Sequence, residues 1–306
     1  MEPLAWLIFL GLIGLFLALD LGVFHRQAHA VRPAEALRWT ALWVTLAIAF
    51  GVFVAWWRGT ETGLAWFTGY VIEYSLSVDN VFVFALVFGA FAVPPQYQHR
   101  VLFWGVLGAL VMRLGLILVG AELIARYEWV LLIFGAFLVL TGLRLARDRG
   151  QTAAHPADSA IVRFARAHLR TTTEFHGQRF FIRTAAGRLA TPLLLALVAV
   201  EASDLVFAVD SVPAIFGVTT DPFVVFTSNA FAILGLRSLY FLLPDARERF
   251  RYLPLGLAGV LVFVGAKMLL GGVVHIEPLV SLAAVVLILA VAVGASLRRD
   301  GRAGPR

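Results

Sequence analysis

The chain has no cysteine, a single lysine and little charge: only 14% of its 306 residues are charged. The lack of cysteine excludes disulfides, thiolate metal sites and a cysteine nucleophile in this chain. The scarcity of charge, together with 60% hydrophobic residues, excludes an ordinary soluble globular protein and indicates a membrane protein. The sequence also lacks a nucleotide-binding loop of the Walker A type, so a role driven by ATP would need a partner.

Nine apolar runs are long enough to cross a hydrocarbon core of about 30 Å as helices. We number them spans 1 to 9, and they cover residues 4–24, 37–57, 66–91, 101–124, 129–146, 190–216, 223–243, 253–274 and 278–297. Prolines at the breaks agree with these limits. The sequence therefore predicts an all-α polytopic transmembrane helix bundle of about nine helices.

The basic residues fall almost entirely on one side of the predicted bundle. Twenty lie in or beside the loops after spans 1, 3, 5 and 7 and the tail, while the opposite loops hold only Arg58 and Arg126. Because arginine and lysine concentrate in cytoplasmic loops, we expect the N-terminus outside and the C-terminus in the cytoplasm of a bacterial inner membrane. This placement explains the net charge of +6 without a nucleic-acid partner.

The predicted organisation has four parts: spans 1–5 in residues 1–146, a basic cytoplasmic loop at 147–189, spans 6–9 in 190–297, and a tail at 298–306. Within the loop, apolar residues from Ile161 to Leu169 recur at helical spacing among arginines. They predict either a helix on the anionic cytoplasmic leaflet, with membrane lipid as its partner, or a solvated linker. Residues 180–190 predict a short hairpin. The whole loop at 147–189 is also a candidate docking site for a protein partner.

An internal repeat is indicated by acids and bases at matching offsets. Asp79-Asn80-Val81-Phe82 in span 3 matches Asp204-Leu205-Val206-Phe207 in span 6, and Arg113 and Arg237 follow the two aspartates by 34 and 33 residues. Arg144 and Lys267 then follow at similar offsets in spans 5 and 8. Spans 3–5 thus resemble spans 6–8, and an odd number of spans per copy predicts an inverted-topology repeat. The second acids do not align, since Glu73 precedes Asp79 by six residues and Glu201 precedes Asp204 by three.

Six acids lie within the predicted spans: Asp20, Glu73, Asp79, Glu201, Asp204 and Asp210. A charged side chain at the bilayer centre costs roughly 2.5 to 3.5 kcal/mol, so stability does not favour them. One interpretation is structural pairing with the intramembrane bases Arg113, Arg237 and Lys267. Three bases cannot neutralise six acids, so the sequence also predicts protonated carboxyl groups or bound cations.

The oxygen-rich character of these residues predicts which cation would bind. Glu73, Ser77 and Asn80 share a helix face, and Glu201 and Asp204 are one turn apart. Together with Asp79 they form a candidate metal site of hard ligands suited to Mn²⁺, Mg²⁺ or Ca²⁺. No histidine lies in a helix core, which disfavours a typical Zn²⁺ or Cu²⁺ site. The sequence leaves open whether Asp210 is a ligand, a gate or a helix-end partner, and assigns no role to Asp20 or Asn229.

Four long motifs resemble the TerC/Alx family of bacterial inner-membrane proteins: DLGVFHRQAHAV, GYVIEYSLSVDNVFVFALVF, YQHRVLFWGVLGALVMR and VEASDLVFAVDSVPAIFGVTTDPFVVFTSNAFAILGLRSLYFLL. The resemblance covers roughly residues 18–275. It implies a role in metal homeostasis, chiefly manganese export, with links to tellurium resistance and alkaline pH, and kinship with the LysE-like exporters and their inverted three-helix repeats. It also implies that the acidic motif residues are functional, namely Glu73, Asp79, Asn80, Glu201, Asp204 and Asp210.

The leading hypothesis is a secondary transporter that exports Mn²⁺ or another hard divalent cation as substrate, in exchange for protons, and that needs no cofactor. The alternative is a membrane partner that transports nothing itself and scaffolds metal delivery to secreted proteins or a tellurium-resistance complex. An organic-cation or amino-acid exporter is also compatible with the superfamily resemblance. An intramembrane enzyme is disfavoured because no hydrolase motif accompanies the acids.

Overall fold

The structure is a computed structural model that describes residues 2–19, 33–147, 160–184, 187–242, 252–274 and 276–300. These residues form ten helices and two strands. In chain order they are α1 (Glu2–Leu19), α2 (Pro33–Arg58), α3 (Thr60–Ala90), α4 (Pro95–Arg126), α5 (Trp129–Arg147), α6 (Ala160–His168), β1 (Phe181–Thr184), β2 (Gly187–Ala190), α7 (Pro192–Phe216), α8 (Pro222–Leu242), α9 (Leu253–Leu270) and α10 (Pro278–Asp300).

The helices confirm the predicted transmembrane bundle. Eight of those described, α2 to α5 and α7 to α10, are long and apolar enough to span a membrane, and α1 contains a shorter apolar stretch, Pro3–Ala18. Spans 1 to 5 correspond to α1 to α5, and spans 6 to 9 to α7 to α10. The predicted end of span 1, at residues 20–24 with Asp20, lies outside the described residues, as does the tail from residue 301.

The helix ends follow local signals. Helices α2, α4, α7, α8 and α10 all begin at a proline, which is favourable at a first helical position because its missing N–H would have no intrahelical partner there. For this reason α2 and α4 start four and six residues before their apolar runs. Helix α9 ends at Leu270, before Gly271-Gly272, and so is shorter than predicted. Between α2 and α3, Gly59 adopts a φ of 98°, which allows a sharp reversal.

The segment between α5 and α7 is folded where it is described. Helix α6 shows that residues 160–168 are helical, as one of the two interpretations of this segment requires, and β1 and β2 confirm the predicted hairpin, with Phe181 paired to Ala190. The strand end is tied back to α6 because the amide of Ala190 donates to the carbonyl of Arg170 at 2.8 Å. Residues 148–159 of the predicted loop lie outside the described part of the chain.

Helix α8 lies at the centre of the bundle and packs against α2, α3 and α4. Helix α7 lies against α3 and α4, while α5 packs along α9 and α10 covers α3 and α9. The α5–α9 contact is very close: a Cβ added at Gly265 would lie 2.6 Å from the carbonyl oxygen of Gly135. Small residues thus let these two helices approach backbone to backbone.

The relative directions of α3 and α7 determine which of their side chains lie at the same depth in the bundle. Gly69, in the first third of α3, lies beside Ile215 near the end of α7. The last turns of α3 pack with the first turns of α7 in one apolar cluster. The two helices are therefore antiparallel. Helix α3 contacts α8 and α4 contacts α7, the reciprocal pairs that exchange of two three-helix copies would produce. These contacts are compatible with the inverted repeat, which stays a prediction.

Candidate functional site

The buried polar residues of the bundle centre meet around one arginine of α4. We call this group the Arg113 layer; it contains Glu73 and Ser77 of α3, Arg113 of α4, Asp204 and Ser211 of α7, and Asn229 of α8. All six residues are buried, with at most 2% of their surface exposed. Four helices thus bring polar side chains together around Arg113 in an otherwise apolar interior.

Arg113 binds both acids of the layer. Its Nε and Nη2 donate to Oδ2 and Oδ1 of Asp204 at 3.2 and 2.9 Å, a bidentate pair. Its Nη1 donates to Oε1 of Glu73 and, at 3.1 Å, to the hydroxyl of Ser211. A planar guanidinium can serve two carboxylates at once because its five N–H donors point outward in a fixed fork.

Glu73 has two further partners within the layer. The Ser77 hydroxyl donates to Oε1 at 3.3 Å, a contact that follows from the i, i+4 spacing on α3. Asn229 Nδ2 donates to Oε2 at 3.0 Å from the central helix α8. Asn229, which the sequence left without a role, is therefore a direct partner of the predicted ligand Glu73.

The charges of the layer do not cancel. Glu73 and Asp204 carry two formal negative charges, and Arg113 supplies one positive charge. In a low-dielectric interior an unbalanced charge is costly, so a proton or a cation is the natural complement. The structural pairing predicted for Arg113 is present, and it leaves one acid unneutralised.

Glu201 lies one turn before Asp204 on α7 and adds a further carboxylate. Its side chain occupies the space beside Gly108 of α4, where any added Cβ would overlap the carboxyl group. Oε2 of Glu201 is buried without a hydrogen-bond partner in the described structure. A buried acceptor without a donor is costly, so the oxygen is suited to a bound cation or to carrying a proton.

Two amide oxygens are also buried without a hydrogen-bond donor. Oδ1 of Asn80 and Oδ1 of Asn229 are buried and have no hydrogen-bond partner in the described part of the chain. At 1.5 Å per residue, Asn80 lies about 10 Å along α3 from Glu73, and Glu201 lies about 4.5 Å along α7 from Asp204. Because α3 and α7 are antiparallel, both displacements point to the same side of the Arg113 layer. That side is the end of the bundle where α3 ends and α7 begins.

The remaining predicted residues lie elsewhere or outside the description. Asp210, six residues beyond Asp204, lies beside Thr141 of α5. Lys267 of α9 donates to the hydroxyl of Ser281 on α10 at 2.9 Å. Nothing is described of the side chains of Asp79 and Arg237. Within the described residues, no three carboxylate or histidine side chains converge on one point.

The layer lies within a sequence that a family model matches over residues 58–303, more than half of the chain. That model describes the integral membrane protein TerC family. The chain belongs to the TerC family. The match includes every element of the Arg113 layer, and it confirms the resemblance that the sequence motifs indicated.

Relatives of this TerC family member resemble it over nearly their whole lengths. It is 51% identical over 302 residues to the "Uncharacterized membrane protein STKORF319" of Myxococcus xanthus, covering 99% of this chain and 94% of that one. It is 47% identical over 297 residues to the "Putative membrane-bound redox modulator Alx" of Escherichia coli K12, covering 94% and 92%. A membrane protein of Rickettsia bellii is 35% identical over 296 residues, covering 97% and 98%. No solved structure matches.

Sequence reasoning missed Gly108, because a glycine in an apolar helix carries no signal of what lies opposite. Asn229 did carry a signal, being an amide inside a predicted span, but nothing in the sequence indicated that it faces Glu73 across 156 positions.

Proposed function

We propose that this TerC family member is a secondary transporter that exports hard divalent cations, Mn²⁺ foremost, in exchange for protons across the inner membrane. One observation carries the proposal: two buried carboxylates on antiparallel helices share a single guanidinium, with an excess negative charge between them. Carboxylate, amide and hydroxyl oxygens are the ligands that Mn²⁺, Mg²⁺ and Ca²⁺ prefer. The family resemblance supports manganese among them.

In this proposal Arg113 acts as a tethered cation. Its guanidinium lies between Glu73 and Asp204, where a divalent cation would also be held. When the substrate binds, the guanidinium turns away, and when the substrate leaves it returns. The two carboxylates are then never left together without a positive charge, which would be unfavourable in a buried site.

The oxygens on one side of the layer support a direction of transport. Glu201 Oε2 and Asn80 Oδ1 lie toward the end of the bundle whose loops carry most of the arginines. By the positive-inside rule that end faces the cytoplasm. These oxygens give an entering cation ligands before it reaches the Arg113 layer, and Glu201 provides a carboxylate for the counter-transported proton.

The alternative is a partner or scaffold that moves no ion by itself. Relatives carry the name redox modulator, and this chain has no cysteine, so a redox role here would pass through a bound metal rather than through its own thiols. No contact in the described structure favours this alternative over transport, and the flux experiment separates the two.

The experiment is Mn²⁺ flux into proteoliposomes of purified protein under an imposed pH gradient. We expect Glu73→Gln, Asp204→Asn and Asp79→Asn to abolish flux. Glu122→Gln, an exposed acid near the end of α4, is the matched control and should transport normally. Normal flux in all three site variants would remove these acids as ligands. Absence of flux in folded unmodified protein would favour the partner.

A further inference from the structure

The short helix α6 has an apolar flank that is largely exposed, although the ring of Phe164 stacks on that of His168, one turn further along the helix, at 4.0 Å between centroids. Val162 and Ala165 are buried among the first turns of α7, in the cluster that includes Leu193 and Ala196. By contrast, Phe164 is 64% and Ile161 is 44% exposed. At 100° per residue these two side chains lie together on one flank, beside the buried face.

This flank sits at the edge of the membrane-spanning part of the bundle. Helix α6 packs on the first turns of α7, where the transmembrane segment begins. The hairpin is fixed at the same end, since Arg100 of α4 donates to Gln178 at 3.2 Å and lies over the ring of Phe180. Helix α6 is therefore held at the level at which a bilayer surface would meet the protein.

The charge around this flank is strongly positive. Residues 160–191 contain six arginines and one acid, Glu174. Five of the six are exposed: Arg163, Arg170, Arg179, Arg183 and Arg188. The guanidinium of Arg188 lies 4.2 Å from the centre of the partly exposed Phe181 ring, so the hairpin repeats the pairing of an apolar ring with a cation.

From these observations we infer that residues 160–184 and 187–191 form a lipid-binding ledge, whose apolar side chains enter the boundary between headgroups and acyl chains and whose hairpin arginines, Arg179, Arg183 and Arg188, bind anionic lipid phosphates. Apolar side chains flanked by arginine suit this boundary, where apolar burial and attraction to anionic lipid act together. The backbone hydrogen bonds from Ala190 to Arg170 and from Thr172 to Ala190 hold the ledge in one shape before it meets lipid. The inference does not depend on what the protein transports.

The cysteine-free chain permits a direct test in the full-length protein. Phe164→Cys places a polarity-sensitive fluorophore on the proposed lipid flank, and Arg163→Cys places one on the adjacent exposed side, about 100° away around the helix. Both positions are exposed, so neither variant should disturb folding, which a thermal unfolding curve checks. Ile161→Cys is a second reporter on the lipid flank.

In vesicles that contain phosphatidylglycerol, we expect the label at 164 to emit at a shorter wavelength than the label at 163. Lipids that carry a nitroxide near the headgroup should quench the label at 164 several-fold more than the label at 163. The label at 163 should instead be quenched by aqueous iodide. The lipid quenching at 164 should weaken in phosphatidylcholine alone and at high salt, because the arginine contribution is electrostatic. Equal iodide quenching at 161, 163 and 164 would overturn the inference and leave the flank to a protein partner.

Discussion

Replacing Arg113 by glutamine tests the idea of a tethered cation. The change removes the four hydrogen bonds that Arg113 donates to Glu73, Asp204 and Ser211, and leaves two buried carboxylates facing each other. Removing one partner of a buried ion pair typically costs about 3 to 5 kcal/mol. Since about 1 kcal/mol shifts the midpoint by roughly 2 to 4 °C in a chain of 150 to 250 residues, we expect the melting temperature to fall by on the order of 10 °C.

The response to Mn²⁺ distinguishes a tethered cation from a purely structural arginine. If Arg113 is a tethered cation, a divalent cation has to displace its guanidinium in the unmodified protein. In Arg113→Gln no guanidinium competes for the two carboxylates, so we expect Mn²⁺ to bind more tightly. Saturating Mn²⁺ at about one hundred times its dissociation constant would restore about 2.7 kcal/mol. Thermal unfolding followed by the fluorescence of the eight tryptophans should therefore show a larger Mn²⁺ shift in the variant.

Two further variants complete this test. Arg126→Gln, an exposed arginine at the end of the same helix, should leave both the melting temperature and its Mn²⁺ response unchanged. Adding Glu73→Gln to Arg113→Gln should recover stability and abolish the Mn²⁺ response. If Mn²⁺ stabilised the unmodified protein and Arg113→Gln by the same amount, the tethered-cation reasoning would be refuted, while flux in proteoliposomes would still decide whether the protein transports.

Asn229→Ala removes a hydrogen bond to the Glu73 carboxylate, so we expect the free energy of unfolding to fall by about 1.5 to 3 kcal/mol in thermal unfolding. We also expect reduced Mn²⁺ flux, and unchanged flux would show that Glu73 needs no support from α8. Gly108→Ala places a methyl group where the Glu201 carboxylate lies and should lower flux in folded protein. Gly115→Ala, on the same helix with no atom within 4 Å of the added Cβ, is its control; equal loss of flux in both would indicate a general effect on α4.

The spans were predictable because each apolar run is long. Five of the spanning helices also begin at a proline, a signal contained within a few residues. The hairpin and α6 followed from equally local patterns. Periodicity also placed Glu73 and Ser77 on one face of α3, and their side chains are hydrogen-bonded. Local sequence information thus determines which helices form and which way their side chains point.

Local sequence patterns could not predict which residues meet around Arg113. The repeat alignment makes Asp79 and Asp204 equivalent positions, and equivalence does not tell which residues meet. In the structure Glu73 and Asp204, 131 positions apart in the chain, both bind Arg113. Helical periodicity gives the face on which a residue lies and not the depth at which two helices meet. That depth depends on packing of helices far apart in sequence, such as α3 against α7 and α8.

Helix α8 has a consequence for how the protein is built in the cell. It is almost entirely enclosed by other helices, is the least apolar of the eight described spanning helices, and buries Thr227, Ser228 and Asn229 in sequence. Although α8 is apolar enough to span a membrane, its threonine, serine and asparagine side chains interact more favourably with protein partners than with lipid. The helices that enclose it, α2, α3 and α4, are all synthesised first. We therefore expect α8 to be placed against helices that the earlier part of the chain has already formed, so that the order of synthesis favours correct folding.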